Sequence, residues 1–192
     1  MPLKNKAVVI TSAASGMGLE TARLFPAKGA KLSLADIQEK PLKDLEAELL
    51  QVNSDVMSQV VDVSNRKSVE DWGLMYCLHA QAPVMNEGGA IVNAASILGL
   101  IGAAKSMPYV ASKHAVLGAR NIRVNCFCPG PIDTPMFRKL EDLRGNKMDT
   151  EFLALKRKAD QKEIPPLIEF LLSDSSSYIT GVAMPVDGGW FC

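Results

Sequence analysis

A chain of 192 residues with 47% hydrophobic positions can bury one sizeable core and is short for two, so residues 1–192 read as a single domain. Its 21 Lys+Arg balance 21 Asp+Glu, which excludes the long-range field that recruits nucleic acid or an anionic membrane and leaves a small molecule as the partner. No stretch reaches the ~20 apolar residues of a membrane helix, and MPLKNKAVVI lacks a signal-length apolar core. The four cysteines (Cys77, Cys126, Cys128, Cys192) lack paired CxxC spacing, so the expectation is reduced thiols, no metal and a cytoplasmic protein.

Residues 6–12, KAVVITS, form a short apolar β-rich run that passes through a glycine-containing turn into a helical pattern over 16–28. KLSLAD (31–36) predicts a second strand, EKPLKDLEAELL (39–50) an amphipathic helix and MSQVVDV (57–63) a third strand. A helix over 66–86, a buried strand GGAIVNAAS (88–96), a helix over 107–119 and a strand IRVNCFC (122–128) closed by Pro129-Gly130 follow. On that last strand Cys126 and Cys128 share a face. The stretch from Asp133 to about Lys162 is charged, Met-rich and locally helical, 163–173 reads as a helix and GVAMPVDGG (181–189) as a final strand. Strands alternating with helices predict an α/β fold with a Rossmann-like, doubly wound parallel sheet.

The turn Thr11-Ser12-Ala13-Ala14-Ser15-Gly16-Met17-Gly18 lies between the first strand and a helix whose free N-terminal amides can hold a pyrophosphate. Ser12, Ser15, Gly16, Met17 and Gly18 are the candidate cradle. Asp36 ends the second strand, where a carboxylate can accept hydrogen bonds from both adenosine ribose hydroxyls. It would repel a 2′-phosphate, and Ile37, not Arg or Lys, follows it, so NAD(H) is favoured over NADP(H). Tyr109 and Lys113 stand four apart in a helical segment and share a face. A phenol with a pKa near ~10 is a poor base at neutral pH, and a neighbouring ammonium moves it toward the working range. Ser96, at the end of the preceding strand, is suited to hydrogen-bond a substrate oxygen that gains or loses charge.

These motifs together resemble the short-chain dehydrogenase/reductase family, over nearly the whole chain. TSAASGMG resembles the family's TGxxxGxG, Asp62-Val63 its adenine-contacting Asp-Val, and AASILG with YVASK its YxxxK catalytic core. CPGPIDTPM (128–136) resembles its nicotinamide-holding loop and SSYITGVAMPVDGGW (176–190) its C-terminal strand and turn. The resemblance implies an oxidoreductase that interconverts a secondary alcohol and a ketone. Ser96 would polarise the carbonyl, Tyr109 transfer the proton, and Lys113 lower the tyrosine pKa and grip the nicotinamide ribose. Pro129, Gly130, Ile132 and Thr134 would hold the carboxamide and pyrophosphate side. It also implies a homo-oligomer, since family members often assemble through their fourth and fifth helices, both altered here.

Three departures stand out. Ser12 occupies the place of the family's first glycine and crowds a turn that glycine enters freely. Nothing between Asp62 and Gly89 resembles the family's fourth strand with its NNAG motif, and SVEDWGLMYCLHAQAPVM resembles the start of the fourth helix fused to the remainder of the fifth. With the NxxG element aligned on Gly73, Glu70 takes the place of the asparagine that completes the proton relay. A second shortening follows Ala119. The expected sheet then has six strands in the order 3-2-1-5-6-7 in the family's labels, which shifts Ser96 by one strand spacing, ~4.8 Å. Alternatively the central place stays open with two unpaired edges. A second reading of function follows: a shortened, catalytically impaired relative that binds a dinucleotide weakly, or an oligomerisation partner of a full-length one.

Overall fold

The structure is a computed structural model and describes residues 3–52, 55–62, 85–96 and 120–190. The helices expected over 66–86 and 107–119 lie outside these, save Met85 and Asn86, which are not helical. The chain divides into two compact units, Met1–Asn86 and Glu87–Cys192.

The first unit is a β-α-β-α-β run. Strands β1 (Ala7–Thr11), β2 (Lys31–Asp36) and β3 (Val56–Val60) form a parallel sheet in that order, with Ile10 beside Leu34 and Val9 beside Ser33, itself beside Met57. Both crossovers run in the same direction, so right-handed connections put helices α1 (Gly16–Leu24) and α2 (Glu39–Leu50) on one face. That face is apolar: Ile10, Leu32 and Leu34 of the sheet and Leu42, Leu45 and Leu49 of α2 are buried, each contributing roughly 1.5–3 kcal/mol. Opposite-face residues Val9 and Met57 are 41% and 64% exposed, the period-2 pattern of a strand covered on one side. Arg23 of α1 forks onto Glu48 of α2, with Nε and Nη2 each 2.9 Å from a carboxylate oxygen.

Sequence pattern and structure agree to the residue for β2 and α2. Pro41 is tolerated because it sits in the first helical turn, where its missing N–H has no partner to lose. The first helix is shorter than the predicted 16–28: it stops at Leu24, and Pro26 opens a separate 3₁₀ turn, Pro26–Lys28, closed by Gly29 at φ 83°. The third strand begins and ends earlier than the expected 57–63. Its ladder starts where Leu32 N–H donates to Asp55 O at 2.8 Å, and Val61, past its end, is still held by Asp36 O at 2.9 Å.

In the second unit β4 (Ala90–Ala94), β5 (Arg123–Pro129) and β8 (Ala183–Val186) form a parallel sheet in that order, and β6 (Ile132–Asp133) pairs with β7 (Ala159–Asp160). Among the described residues the ladders give β1-β2-β3 within the first unit and β4-β5-β8 within the second. β5 is central and buried from Val124 to Cys128. Cys126 and Cys128 are free, buried thiols, and burial pushes both up, Cys128 to about 11. Helix α3 (Pro135–Arg144) begins at Thr134, whose hydroxyl accepts from Phe137 N–H at 3.2 Å, and ends at Gly145 with φ 69°. Beyond it, 145–158 is irregular, held by a mixture of backbone turns and side-chain contacts. Glu141 takes Met148 N–H at 2.8 Å on one oxygen and Lys158 Nζ at 2.7 Å on the other. The final helix, α4, is Pro165–Leu172.

Arg123 organises the loop after α4. Its Nη1 donates to Leu171 O and Ser176 Oγ, both at 2.8 Å, and its Nη2 to Ser173 O at 2.9 Å. Arg123→Met leaves these carbonyls without their charged donor and is expected to cost about 2–3 kcal/mol. The check is a lower denaturant midpoint at an unchanged slope. No helix among the described residues is long and apolar enough to cross a membrane.

Candidate functional site

β1 ends at Thr11, and Ser12 turns the chain with φ 52°, a left-handed conformation that costs a non-glycine residue roughly 1–2 kcal/mol. The substitution noted in the sequence thus falls where glycine would serve best. Ala13 N–H then donates to Ala35 O at 3.1 Å, and Ala14 N–H to Asp36 Oδ2 at 2.9 Å. Ser15, in extended conformation, precedes α1 without a side-chain cap. The first-turn amides of Gly16, Met17 and Gly18 have no intrahelical acceptor and, with the helix dipole, suit an anion. Gly16 is at φ 56°. A Cβ on Gly18 would run into the Ser12 carbonyl oxygen, with the carbonyl carbon at 2.9 Å. Only glycine lets α1 approach β1 this closely.

Asp36 is 6% exposed. Besides Ala14, its Oδ1 accepts from Gln38 N–H at 2.9 Å. A cleft of about 250 Å³ opens where β1, β2 and β3 end, lined by Thr11, Ser12, Ala35, Asp36, Ile37, Val61 and Asp62. This is the carboxyl-end position at which open α/β sheets take ligands. Four predicted residues, Ser12, Asp36, Ile37 and Asp62, meet there; Val63 lies outside the described residues. Thr11, Ala35 and Val61 were not singled out in the sequence, although each adjoins a residue that was. Gln38 was also missed, though an aspartate bonding the amide two residues on is an ordinary turn signal.

In the second unit Ser96 lies two residues past β4, half-buried, after Ala95 N–H donates to Phe127 O at 2.8 Å. Tyr109 and Lys113 lie outside the described residues. Pro129 closes β5, and Gly130 N–H donates to Val186 O at 3.1 Å. A Cβ on Gly130 would come within 2.7 Å of Asp187 Cα, so the glycine lets this loop lie against the last strand. Ile132 is buried in the β6–β7 ladder and Thr134 caps α3. Of three apolar residues in the charged stretch after Asp133, Met136 is 80% exposed. Phe137 lies under Lys158 Nζ, and Phe152 meets the Trp190 ring edge to face at 5.2 Å.

The residues expected to hold a dinucleotide fit one on three counts: a buried carboxylate lining a cleft, a helix N-terminus without a side-chain cap, and a glycine that lets that N-terminus lie close against the end of β1. The short chain dehydrogenase family model matches residues 6–73, and the model described as enoyl-(acyl carrier protein) reductase matches 72–191. The chain is 37% identical to "Short-chain dehydrogenase/reductase aba4" of Botryotinia fuckeliana over 254 positions, covering 100% of this chain and 98% of that protein. It is 31% identical to meso-2,3-butanediol dehydrogenase of Serratia marcescens, over 98% of this chain and 96% of that one. The first alignment runs over 254 positions against 192 residues, so that relative carries several dozen residues with no counterpart here. Among solved structures, L-sorbose reductase from Gluconobacter frateurii, complexed with NADPH and L-sorbose, superposes with a TM-score of 0.87 at 24% identity, over 100% of this chain and 99% of that one. The chain belongs to the short-chain dehydrogenase/reductase family of oxidoreductases.

Proposed function

We propose that this protein is an NAD(H)-dependent oxidoreductase that interconverts a secondary alcohol and a ketone. The observation that carries the reading is the cleft at the ends of β1–β3, with the buried Asp36 carboxylate in its wall. The amides of Gly16, Met17 and Gly18 would bind the pyrophosphate, Asp36 the adenosine ribose, and Ile37, Asp62 and Val63 the adenine end. A 2′-phosphate would meet Asp36 as a like charge, worth ~1–4 kcal/mol per unit charge at 4 Å.

Bound NAD(H) would supply hydride chemistry. On ketone reduction Tyr109 would give its proton to the substrate oxygen, with Lys113 stabilising the phenolate left behind. Ser96 would donate a hydrogen bond to that oxygen as it gains charge. Pro129, Gly130, Ile132 and Thr134 would hold the nicotinamide end. The alcohol/ketone class is supported by similarity to proteins named as a meso-2,3-butanediol dehydrogenase and a levodione reductase. The substrate is a small molecule, and the single Rossmann-like domain over 1–192, its assembly as a homo-oligomer and its cytoplasmic setting belong to the same proposal.

The test is NADH consumption across a panel of small ketones and diketones. Ketone-dependent oxidation is expected; saturable NADH binding with no turnover on any ketone would replace this reading with that of a shortened, binding-only relative.

A further inference from the structure

The Asp36 carboxylate is engaged on its inner side before any ligand arrives. Its Oδ2 takes Ala14 N–H at 2.9 Å in a buried contact across 22 residues of sequence. Its Oδ1 takes Gln38 N–H at 2.9 Å. Next to the first contact, Ala13 N–H is held by Ala35 O at 3.1 Å. Two successive amides of the turn are therefore tied to the end of β2, one through backbone and one through this side chain. The turn is in need of such ties. Ser12 is held at φ 52°, and an unfavourable backbone conformation persists only where its surroundings fix it. A carboxylate has about four acceptor positions; two are taken by these backbone amides, and Gln38 Nε2 makes a longer contact to Oδ1 at 3.5 Å, which a ribose hydroxyl entering from the cleft would displace.

We propose that Asp36 is a positioning residue for the phosphate-binding turn in addition to being the ribose-binding carboxylate. One side chain then both selects the unphosphorylated ribose and holds the Ser12–Ala14 backbone in shape. This deepens the dinucleotide reading and rests on it for its ligand arm. A substitution at 36 that admits a 2′-phosphate also releases the turn, so preference would not switch to NADP(H) by changing Asp36 alone. Converting Ser12 to glycine, which enters the left-handed region freely, would make the turn less dependent on the carboxylate.

The two roles predict opposite signs for a ligand that lacks the hydroxyls. If Asp36 only binds ribose, removing it leaves the 2′,3′-dideoxyadenosine analogue of NADH unaffected, or improves its binding by removing a negative charge. If Asp36 positions the turn, the same ligand binds more weakly. Wild type, Asp36→Ala and Asp36→Ala/Ser12→Gly are titrated with NADH and with this analogue by fluorescence. Hydrogen exchange over residues 11–18 is followed without ligand.

Asp36→Ala is expected to weaken the analogue about tenfold and to speed Ala14 exchange by at least as much, the effect of losing one hydrogen bond to a charged group. Adding Ser12→Gly should recover most of the loss for the analogue but not for NADH. Analogue binding unchanged or tighter in Asp36→Ala overturns the proposal, whatever the exchange rate. Should Asp36→Ala fail to fold, Asp36→Ser takes its place, its side chain being too short to reach Ala14 N–H. Faster Ala14 exchange in Asp36→Ser supports the proposal, and a wild-type rate overturns it. If wild type binds neither ligand, the cofactor reading fails, and exchange at Ala14 alone decides the positioning role.

Discussion

Replacing Tyr109 with phenylalanine is expected to lower ketone turnover about 10²–10⁴-fold, the usual contribution of a positioned acid/base group. The aromatic ring is kept and the phenolic hydroxyl, with its exchangeable proton, is removed. NADH affinity should therefore stay within about threefold, well below the tenfold that 1.4 kcal/mol represents. Steady-state rates and a fluorescence titration on the same preparation separate the two. A variant that loses NADH binding and turnover together would show that Tyr109 serves the site's structure, and one that loses neither would remove it from the reaction. Lys113→Met should lower turnover too, with a larger loss of NADH affinity, because the ammonium is assigned to the nicotinamide ribose as well as to the phenol.

Gly18→Ala is expected to be the most damaging single methyl group in the first unit. The added Cβ would meet the carbonyl oxygen and carbon of Ser12, which are backbone atoms that no rotamer change can move. α1 would have to draw back from the end of β1, displacing the amides proposed to bind the pyrophosphate. Overpacking of this kind costs about 1–3 kcal/mol, and NADH affinity should fall at least about tenfold, since misplaced donors lose their charge-assisted bonds. Denaturant unfolding and NADH titration measure the two effects. Stability and affinity both at wild-type levels would mean that the α1 approach is looser than this backbone contact implies.

The parts of the molecule legible in the sequence are those governed by local pattern. β2 alternates Leu32 and Leu34 on one face and α2 repeats leucine at 42, 45 and 49, so period alone fixes both elements. The departure at Ser12 was legible as well, because a turn that ordinarily takes glycine has to put its replacement at positive φ, and Ser12 is there. Where periodicity competes with a breaker, the breaker decides: the apolar pattern after Leu24 continues, but Pro26 cannot donate the bond that would extend the helix. The stretch 145–158 has no period to read, since Glu141 and Lys158 join across 17 residues.

Long-range contacts explain most of what was missed at the site. Asp36 could be assigned to ribose from its place at a strand end, but its bond to Ala14 exists only once β1 and β2 are paired in register. Arg123 looked like an ordinary strand residue because its acceptors lie about fifty positions away. The NNAG motif is absent from the sequence, and the alignment with one relative is longer than this chain. The chemical consequence of that shortening cannot be read from residue types, since Ser96 has to be placed within ~0.5 Å to act.

The most direct measurement of the central claim is a fluorescence titration of the full chain with NADH and, in parallel, with NADPH. The account predicts saturable one-site binding of NADH, with NADPH at least about tenfold weaker because its 2′-phosphate meets the Asp36 carboxylate. Absence of saturable binding by either dinucleotide, or tighter binding of NADPH, would contradict it.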